Sequence, residues 1–472
     1  MVSFIGLCLA LYVGYLLRSK VRLLQWLYLP SSVIGGLLAL GVIQAGRYLG
    51  HPVPAAWTAG WGALPGLLIN VVFACLFLGH PLPRVRDLWR RAGPQLAYGQ
   101  VVAWGQYVVG IGLVLVLLGP VFGVGSMFGG VIPVGFEGGH GTAGGLAATF
   151  AAHGWPQGKD LALASATAGV ASAIVVGMAL VNWAARRGHL AGGRRPEAKT
   201  ALQQAGIIPH DSRPSAGTLT VSSDAIGSLT LHLVVVGMAI LIGYLLKQAV
   251  WQVEGWVNAG LDAEARAASA LHVVVASFPL FPLCMIGGLA VQAVEQRFDP
   301  HRLVDGGLTR RIQNAALDFL VVAAIATIRI EAVAALLVPF LIVVAAGIAW
   351  NVFCVVVLAR RMLPDAWFER AIAEMGQSMG VTATGLLLLR AVDPDYETPA
   401  ADAFASKQLL HEPFMGGGLW TSTAIPLLAV WGGLPIFGVA CGAVTAWLLV
   451  VFLPRWLRRG ASAQKNGARD RT

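Results

Sequence analysis

Two short stretches hold the residue types from which a binding site for small charged solutes can be built. Residues 137–150 read EGGHGTAGGLAATF and residues 376–385 read GQSMGVTATG, each inside an otherwise apolar region. Glycine lets backbone carbonyls turn toward an ion, and the unpaired N–H groups at a helix N-terminus suit a carboxylate. In the first stretch the candidates are Gly138, Gly139, His140, Gly141 and Thr142, with a helix expected to begin near Thr142. In the second they are Gly376, Gly380 and the hydroxyls of Ser378, Thr382 and Thr384. Hydrolytic and metal chemistry find no support: Glu137 and His140 stand three apart without a second histidine, and there is neither an H-E-x-x-H run nor a nucleophile elbow. The five cysteines (Cys8, Cys75, Cys284, Cys354, Cys441) lie in apolar runs without metal-ligand spacing and are expected to be small core residues.

The elements that must position these residues are set by the solvent. Only 12% of the 472 residues are charged and 57% are apolar, against about 25% charged in soluble domains. Runs such as 233–246 and 332–359 approach or exceed the roughly 20 apolar residues that cross a bilayer. Spans are expected near 3–18, 29–46, 62–79, 97–118, 160–184, 228–247, 271–292, 313–329, 332–359, 414–431 and 435–454. Segments 119–152 and 365–392 are too rich in glycine or too interrupted for simple crossings. They are expected as re-entrant hairpins, the first with arms 119–135 and 141–152. Irregular backbone at membrane depth is tolerated where it is packed in protein or lines a wet cavity.

The net charge of +10 does not point to nucleic acid, because the basic residues cluster at span ends (Arg18, Lys20, Arg22; Arg84, Arg86, Arg90, Arg91; Arg186, Arg187, Arg194, Arg195; Arg310, Arg311; Arg360, Arg361; Arg455, Arg458, Arg459). With these clusters in the cytoplasm, the N-terminus lies outside and the hairpins enter from opposite faces. The expected organisation is an N-terminal membrane repeat (1–185), a cytoplasmic linker (186–227), a C-terminal membrane repeat (228–454) and a basic cytoplasmic tail (455–472). An internal repeat supports it: PSSVIGGL at 30–37 matches PLCMIGGL at 282–289, and TAGGL at 142–146 matches TATGL at 382–386. The fold class is therefore an all-α polytopic membrane protein of two inverted-topology repeats. Each repeat has about five transmembrane helices and one hairpin, and an extra span follows at the C-terminus. Inverted repeats with broken helices are a secondary-transporter architecture.

The GGHGT block after an apolar half-helix, the PSSVIGG element and the basic central loop resemble the glutamate:sodium symporter family. The resemblance implies sodium-coupled uptake of L-glutamate or a related acidic amino acid by alternating access with a moving, elevator-like domain. It also implies a homodimer in a bacterial inner membrane, with sodium as coupling ion and no other cofactor. It assigns Gly138, Gly139, His140, Gly141, Thr142, Gly380, Thr382 and Thr384 to the site. The second hairpin departs from that family in having fewer glycines and Ala383 at a proline position, and the C-terminal span is additional. The alternative is a proton- or sodium-coupled carrier of another carboxylate or amino acid.

Other polar residues carry two readings each. His140 can contact substrate, shuttle a proton or bond to the hairpin backbone. Glu137 can neutralise a cation but is expected near the outer face. Asp318, an intramembrane carboxylate, is a candidate ion ligand or a shallow hydrated group. Arg390 offers a fork for a substrate carboxylate or snorkels to the interface. Arg329 and Glu331 are expected as an exposed pair in an outer turn. The candidate substrate set is thus Gly139, His140, Gly141, Thr142, Ser378, Thr382, Thr384 and Arg390. The candidate ion set is Gly138, Gly380, Thr142, Thr382 and Asp318.

Overall fold

The computed structural model describes residues 1–27, 29–82, 85–191, 207–394 and 396–469. The expected cytoplasmic Arg84, Arg194 and Arg195, and Asp395 of the acidic loop, lie outside the described residues. No strand occurs among the described residues, and six helices are long and apolar enough to cross a membrane, or seven when one bent pair is counted. The chain is a polytopic all-α membrane protein.

The first half comprises α1 (Val2–Lys20), α2 (Ser31–Tyr48), the short α3 (Leu64–Ala74) and α4 (Val85–Leu113). A first hairpin follows, whose arms end in α5 (Val131–Gly135) and begin with α6 (Gly139–Gly145), and then α7 (Gln157–Arg187). The second half comprises α8 (Ser228–Val257), α9 (Ala270–Ser277), α10 (Phe281–Phe298), α11 (Gly306–Ala326) and α12 (Leu337–Phe353). A second hairpin of α13 (Trp367–Met379) and α14 (Thr382–Val392) is followed by α15 (Ala400–His411), α16 (Leu419–Trp431) and α17 (Gly433–Arg469). Local chemistry sets the ends. Pro30 precedes α2 and Pro282 sits in the first turn of α10, where a missing N–H costs nothing. Gly188 closes α7 in the left-handed region, next to Arg186 and Arg187 at the negative end of the helix.

The repeated P-x-x-x-I-G-G-L motif has one structural meaning in both halves. A Cβ on Gly35 would lie 2.4 Å from the Ala10 carbonyl of α1, and one on Gly287 would lie 2.0 Å from the Ala239 carbonyl of α8. The second glycine of each pair faces the opposite half: Gly36 abuts Ile325 of α11, and Gly288 abuts the Ala74 carbonyl of α3. The glycines therefore let α2 and α10 nest against a span from their own half and a span from the other. The two hairpins are also preceded alike. Helix α4 runs through a π-turn at Val114–Leu118 into Gly119–Phe122, and α12 through a π-turn at Cys354–Leu358 into Ala359–Met362. The spacing between the turns, 354 − 114 = 240, equals that between Thr142 and Thr382 (382 − 142 = 240).

The helices form two groups. One contains α1, α2 and α3 with α8, α10 and α11; the other contains α4, α7, α12, α15, α17 and both hairpins. The groups meet where α6 packs on α3 and α11 and where α9 packs on α16. Several boundaries differ from the sequence expectation. Residues 119–122 prolong α4, and the first hairpin arm begins only at the short Ser126–Gly130 turn, because Gly123 terminates the helix with φ +68°. The span expected at 271–292 is broken between α9 and α10 with a 69° bend. The region 332–359 starts with a separate helix, Ile330–Ala335. Residues 400–411, where the sequence pattern predicts no span, form α15. All five cysteines are unpaired, with Cys75, Cys284 and Cys354 buried.

Candidate functional site

The hairpin tips of the two halves meet inside the second group of helices. Gly139, with φ +68°, faces the Gly380 carbonyl and the Val381 side chain. Helix α6 starts at Gly139 and α14 at Thr382, so two helix N-termini point at the same region. The first arm of the second hairpin is polar yet enclosed: every residue from Phe368 to Met379 is buried. Part of its polar side chains is bonded to α4 and α15, while Glu369 Oε2 and Arg370 Nη1 have no partner among the described residues. Gln95 donates to Glu374 (3.0 Å), Gln106 donates to the Ser378 carbonyl and hydroxyl (2.9 and 2.8 Å), and Lys407 pairs with Glu374 at 2.6 Å. Lys407 also donates to Gln377 (3.2 Å) and Gln408 (2.9 Å). Both members of the Lys407–Glu374 pair are fully buried, so the surrounding amides, not water, solvate it.

Glu137, in the turn of the first hairpin, is 5% exposed. Its Oε1 accepts from Gln377 Nε2 of the other hairpin (3.0 Å) and lies 2.6 Å from His411 Nε2 of α15. The direction of the second contact follows from its neighbours. Trp104 Nε1 can only donate, and it donates to Gln100 Oε1 at 3.0 Å. The Gln100 amide nitrogen therefore faces His411 Nδ1 at 3.2 Å as a donor. His411 Nδ1 must accept, which leaves the proton of a neutral ring on Nε2, donated to Glu137. The carboxylate thus receives hydrogen bonds from two neutral partners, and its charge is not cancelled by the imidazole.

A third element completes the site. Between α15 and α16 the chain leaves the helix through Glu412–Gly418, and Gly417 adopts φ +88°. A Cβ there would come within 2.1 Å of the Thr142 hydroxyl, so this position needs glycine for both its dihedral and its closeness. Glu412 Oε1 accepts from Thr382 (2.9 Å) and Gln408 (3.0 Å), while Gln408 also donates to the Thr382 hydroxyl (2.8 Å). Contacts therefore run in a ring: Gly139 to Gly380, Thr382 to Glu412, Gly417 to Thr142. Around this ring several buried polar atoms lack a protein partner, among them Glu137 Oε2, the Thr142 hydroxyl and the Gln106 carbonyl oxygen. Buried polar atoms left without partners are costly and uncommon; here three gather beside two hairpin tips.

The expected site residues fall into two sets. Gly138, Gly139, Thr142, Gly380 and Thr382 lie at the meeting point. Gly141 faces Ile69 of α3 and Leu317 of α11, and Thr384 lies against Gly380 of its own hairpin. His140 points away from the other tip, with Nε2 3.0 Å from the Thr167 hydroxyl of α7. That hydroxyl already donates to the Leu163 carbonyl, so His140 donates to it. Ser378 is fully buried behind the tip and held by Gln106.

Several expectations are corrected. Arg390 is exposed, stacks on Tyr396 and donates to its hydroxyl at 2.5 Å; eight residues of helix put it about 12 Å beyond Thr382. Asp318 is exposed on α11 beside Ser32, on a face that does not meet the tips. Glu137 is buried and bonded to the second hairpin through Gln377. Arg329 pairs with the buried Asp160 of α7 at 2.8 Å, not with Glu331.

Lys407, Gln408 and His411 on α15, Glu412 at its C-cap, and Gln95, Gln100 and Gln106 on α4 are not among the residues expected from the sequence. A signal existed. In ASKQLLHE the polar residues recur at i and i+4 (407 with 411, 408 with 412), which places them on one helix face.

A family model, described as sodium/glutamate symporter, matches residues 1–263. The match takes in the first hairpin and α8 and ends at the start of the short helix Ala263–Ala268; the second hairpin and α15 lie beyond it. No curated protein and no solved structure matches the chain.

Proposed function

This chain belongs to the sodium/glutamate symporter family, whose model covers more than half of it, and on that premise we propose that it imports L-glutamate or a related acidic amino acid, driven by sodium. The observation that carries the reading is the meeting of the two hairpin tips beside unpartnered buried oxygens. Sodium takes hard oxygen donors, and the carbonyls at Gly138 and Gly380, the Thr142 and Thr382 hydroxyls and the free oxygen of Glu137 offer them. Substrate carboxylates take the N–H groups at the starts of α6 and α14. Ion and substrate then favour each other's binding, a reciprocal coupling worth typically about 1–3 kcal/mol.

Alternating access is supported by an asymmetry between the hairpins. The arm α6 is covered by α3 and α11, whereas on α14 Ala383 and Arg390 are exposed and Leu386 and Leu387 are half-buried. With the second hairpin entering from the cytoplasm, this is an inward-facing arrangement. Sliding the hairpin-bearing group outward against the other would cover α14 and bare α6. A bacterial inner membrane, an external N-terminus and a homodimer belong to the same proposal.

Uptake of labelled glutamate into proteoliposomes, with and without an imposed sodium gradient, tests the reading. We expect accumulation only with the gradient, and weakened sodium-dependent uptake in Thr142→Val and Thr382→Val at unchanged expression. Sodium-independent transport, or indifference to glutamate, would favour the alternative carrier; wild-type uptake in both variants would remove these threonines from the site.

A further inference from the structure

The break between α15 and α16 holds a carboxylate whose two oxygens are treated unequally. Glu412 Oε1 is fixed by Thr382 and Gln408, whereas Oε2 has no partner among the described residues. Glu412 is half-buried, and its neighbours across and along the chain, Ala383 and Phe414, are exposed. The charges around it are Glu137, His411 and Lys407, with Glu374 beyond. Lys407 is spent on Glu374, and the hydrogen-bond directions make His411 a neutral donor. Among the described residues, Glu137 and Glu412 are then left without a cation of their own, and no arginine reaches the tips. The Thr142 hydroxyl, 1% exposed and unpartnered, closes the ring against Gly417.

A dicarboxylate entering this ring would meet two like charges. An α-amino acid brings an ammonium for one of them, while the coupling ion serves the other. We propose that Glu412 Oε2 receives the α-ammonium group of the substrate, with Thr382 and Gln408 as positioning residues, and that this contact selects amino acids over dicarboxylates that lack the amine. The assignment rests on the transport reading above.

The test uses the full-length protein in proteoliposomes and labelled L-glutamate with a sodium gradient, competed with unlabelled L-glutamate, glutarate or N-acetyl-L-glutamate. In the wild type the two competitors without a free ammonium should be weaker than glutamate by about tenfold or more, the scale of one lost charge-assisted hydrogen bond. In Glu412→Gln the half-inhibitory glutamate concentration should rise by about tenfold or more while that of glutarate changes less than about threefold. Ligand-induced thermal stabilisation of purified protein by the same compounds reads both affinities even if the variant no longer transports, and Glu412→Asp, which keeps the charge, should recover part of the preference. Equal competition by glutarate and glutamate in the wild type, unchanged glutamate affinity in Glu412→Gln, or a parallel loss of both ligands would overturn the assignment alone. Absence of sodium-driven glutamate uptake by the wild type would overturn the transport reading and this assignment with it.

Discussion

At the scale of single residues the site is governed by where buried charges find compensation. Lys407 and Glu374 compensate each other at 2.6 Å with neither exposed, and removing one partner of such a pair leaves an isolated charge. Lys407→Met is therefore expected to destabilise the folded protein by about 3–5 kcal/mol, and Lys407→Met with Glu374→Gln by much less. Thermal denaturation in detergent checks both; equal losses would mean that the pair is not coupled. Glu137 has the opposite arrangement, a carboxyl group held by His411 and Gln377 with one oxygen left over. Glu137→Gln removes the charge and keeps the shape. The apparent sodium affinity of uptake should fall by about tenfold or more, as for loss of a hydrogen-bonded charged ligand, and a sodium titration of uptake measures it.

At the scale of elements, glycine determines which helices can touch. Gly36 and Gly288 occupy the same place in the two repeats, each against a span of the opposite half. Gly288→Val would drive a side chain into the Ala74 carbonyl, which a Cβ already approaches to 2.2 Å; the expected outcome is loss of monodisperse protein in size-exclusion chromatography. Gly41, on the same helix as Gly36, is exposed with nothing within 4 Å of an added Cβ, so Gly41→Ala should express like the wild type. The PxxxIGGL pattern was visible in the chain as a repeat, yet its purpose was not, because the partner of each glycine lies far away in sequence. Hairpin limits were legible from glycine content at Gly380 and Thr382, but α15 was not. Its mixed SKQLLHE composition resembles a loop until α4 and the second hairpin enclose it.

At the scale of the whole molecule, the covered α6 and the bare α14 make accessibility the measurable quantity. An engineered Ala383→Cys should react with a membrane-impermeant maleimide from the cytoplasmic side. Conditions that drive the hairpin-bearing group outward should slow the reaction. Labelling of both hairpin tips from one and the same side would remove the inverted arrangement altogether.

Composition and charge placement, read alone, determined that this chain is a membrane-embedded helical protein built from two related halves, because the bilayer demands long apolar helices and repeats persist as local patterns. They also located the two glycine-rich tips. The tertiary structure decided which polar groups share a site. Glu137, His411, Glu412 and Thr142 span 275 positions of the chain (412 − 137). Hydrogen bonding and burial between them are non-local, so the exclusion of Arg390 and Asp318 and the arrival of α15 could be seen only once the helices were packed.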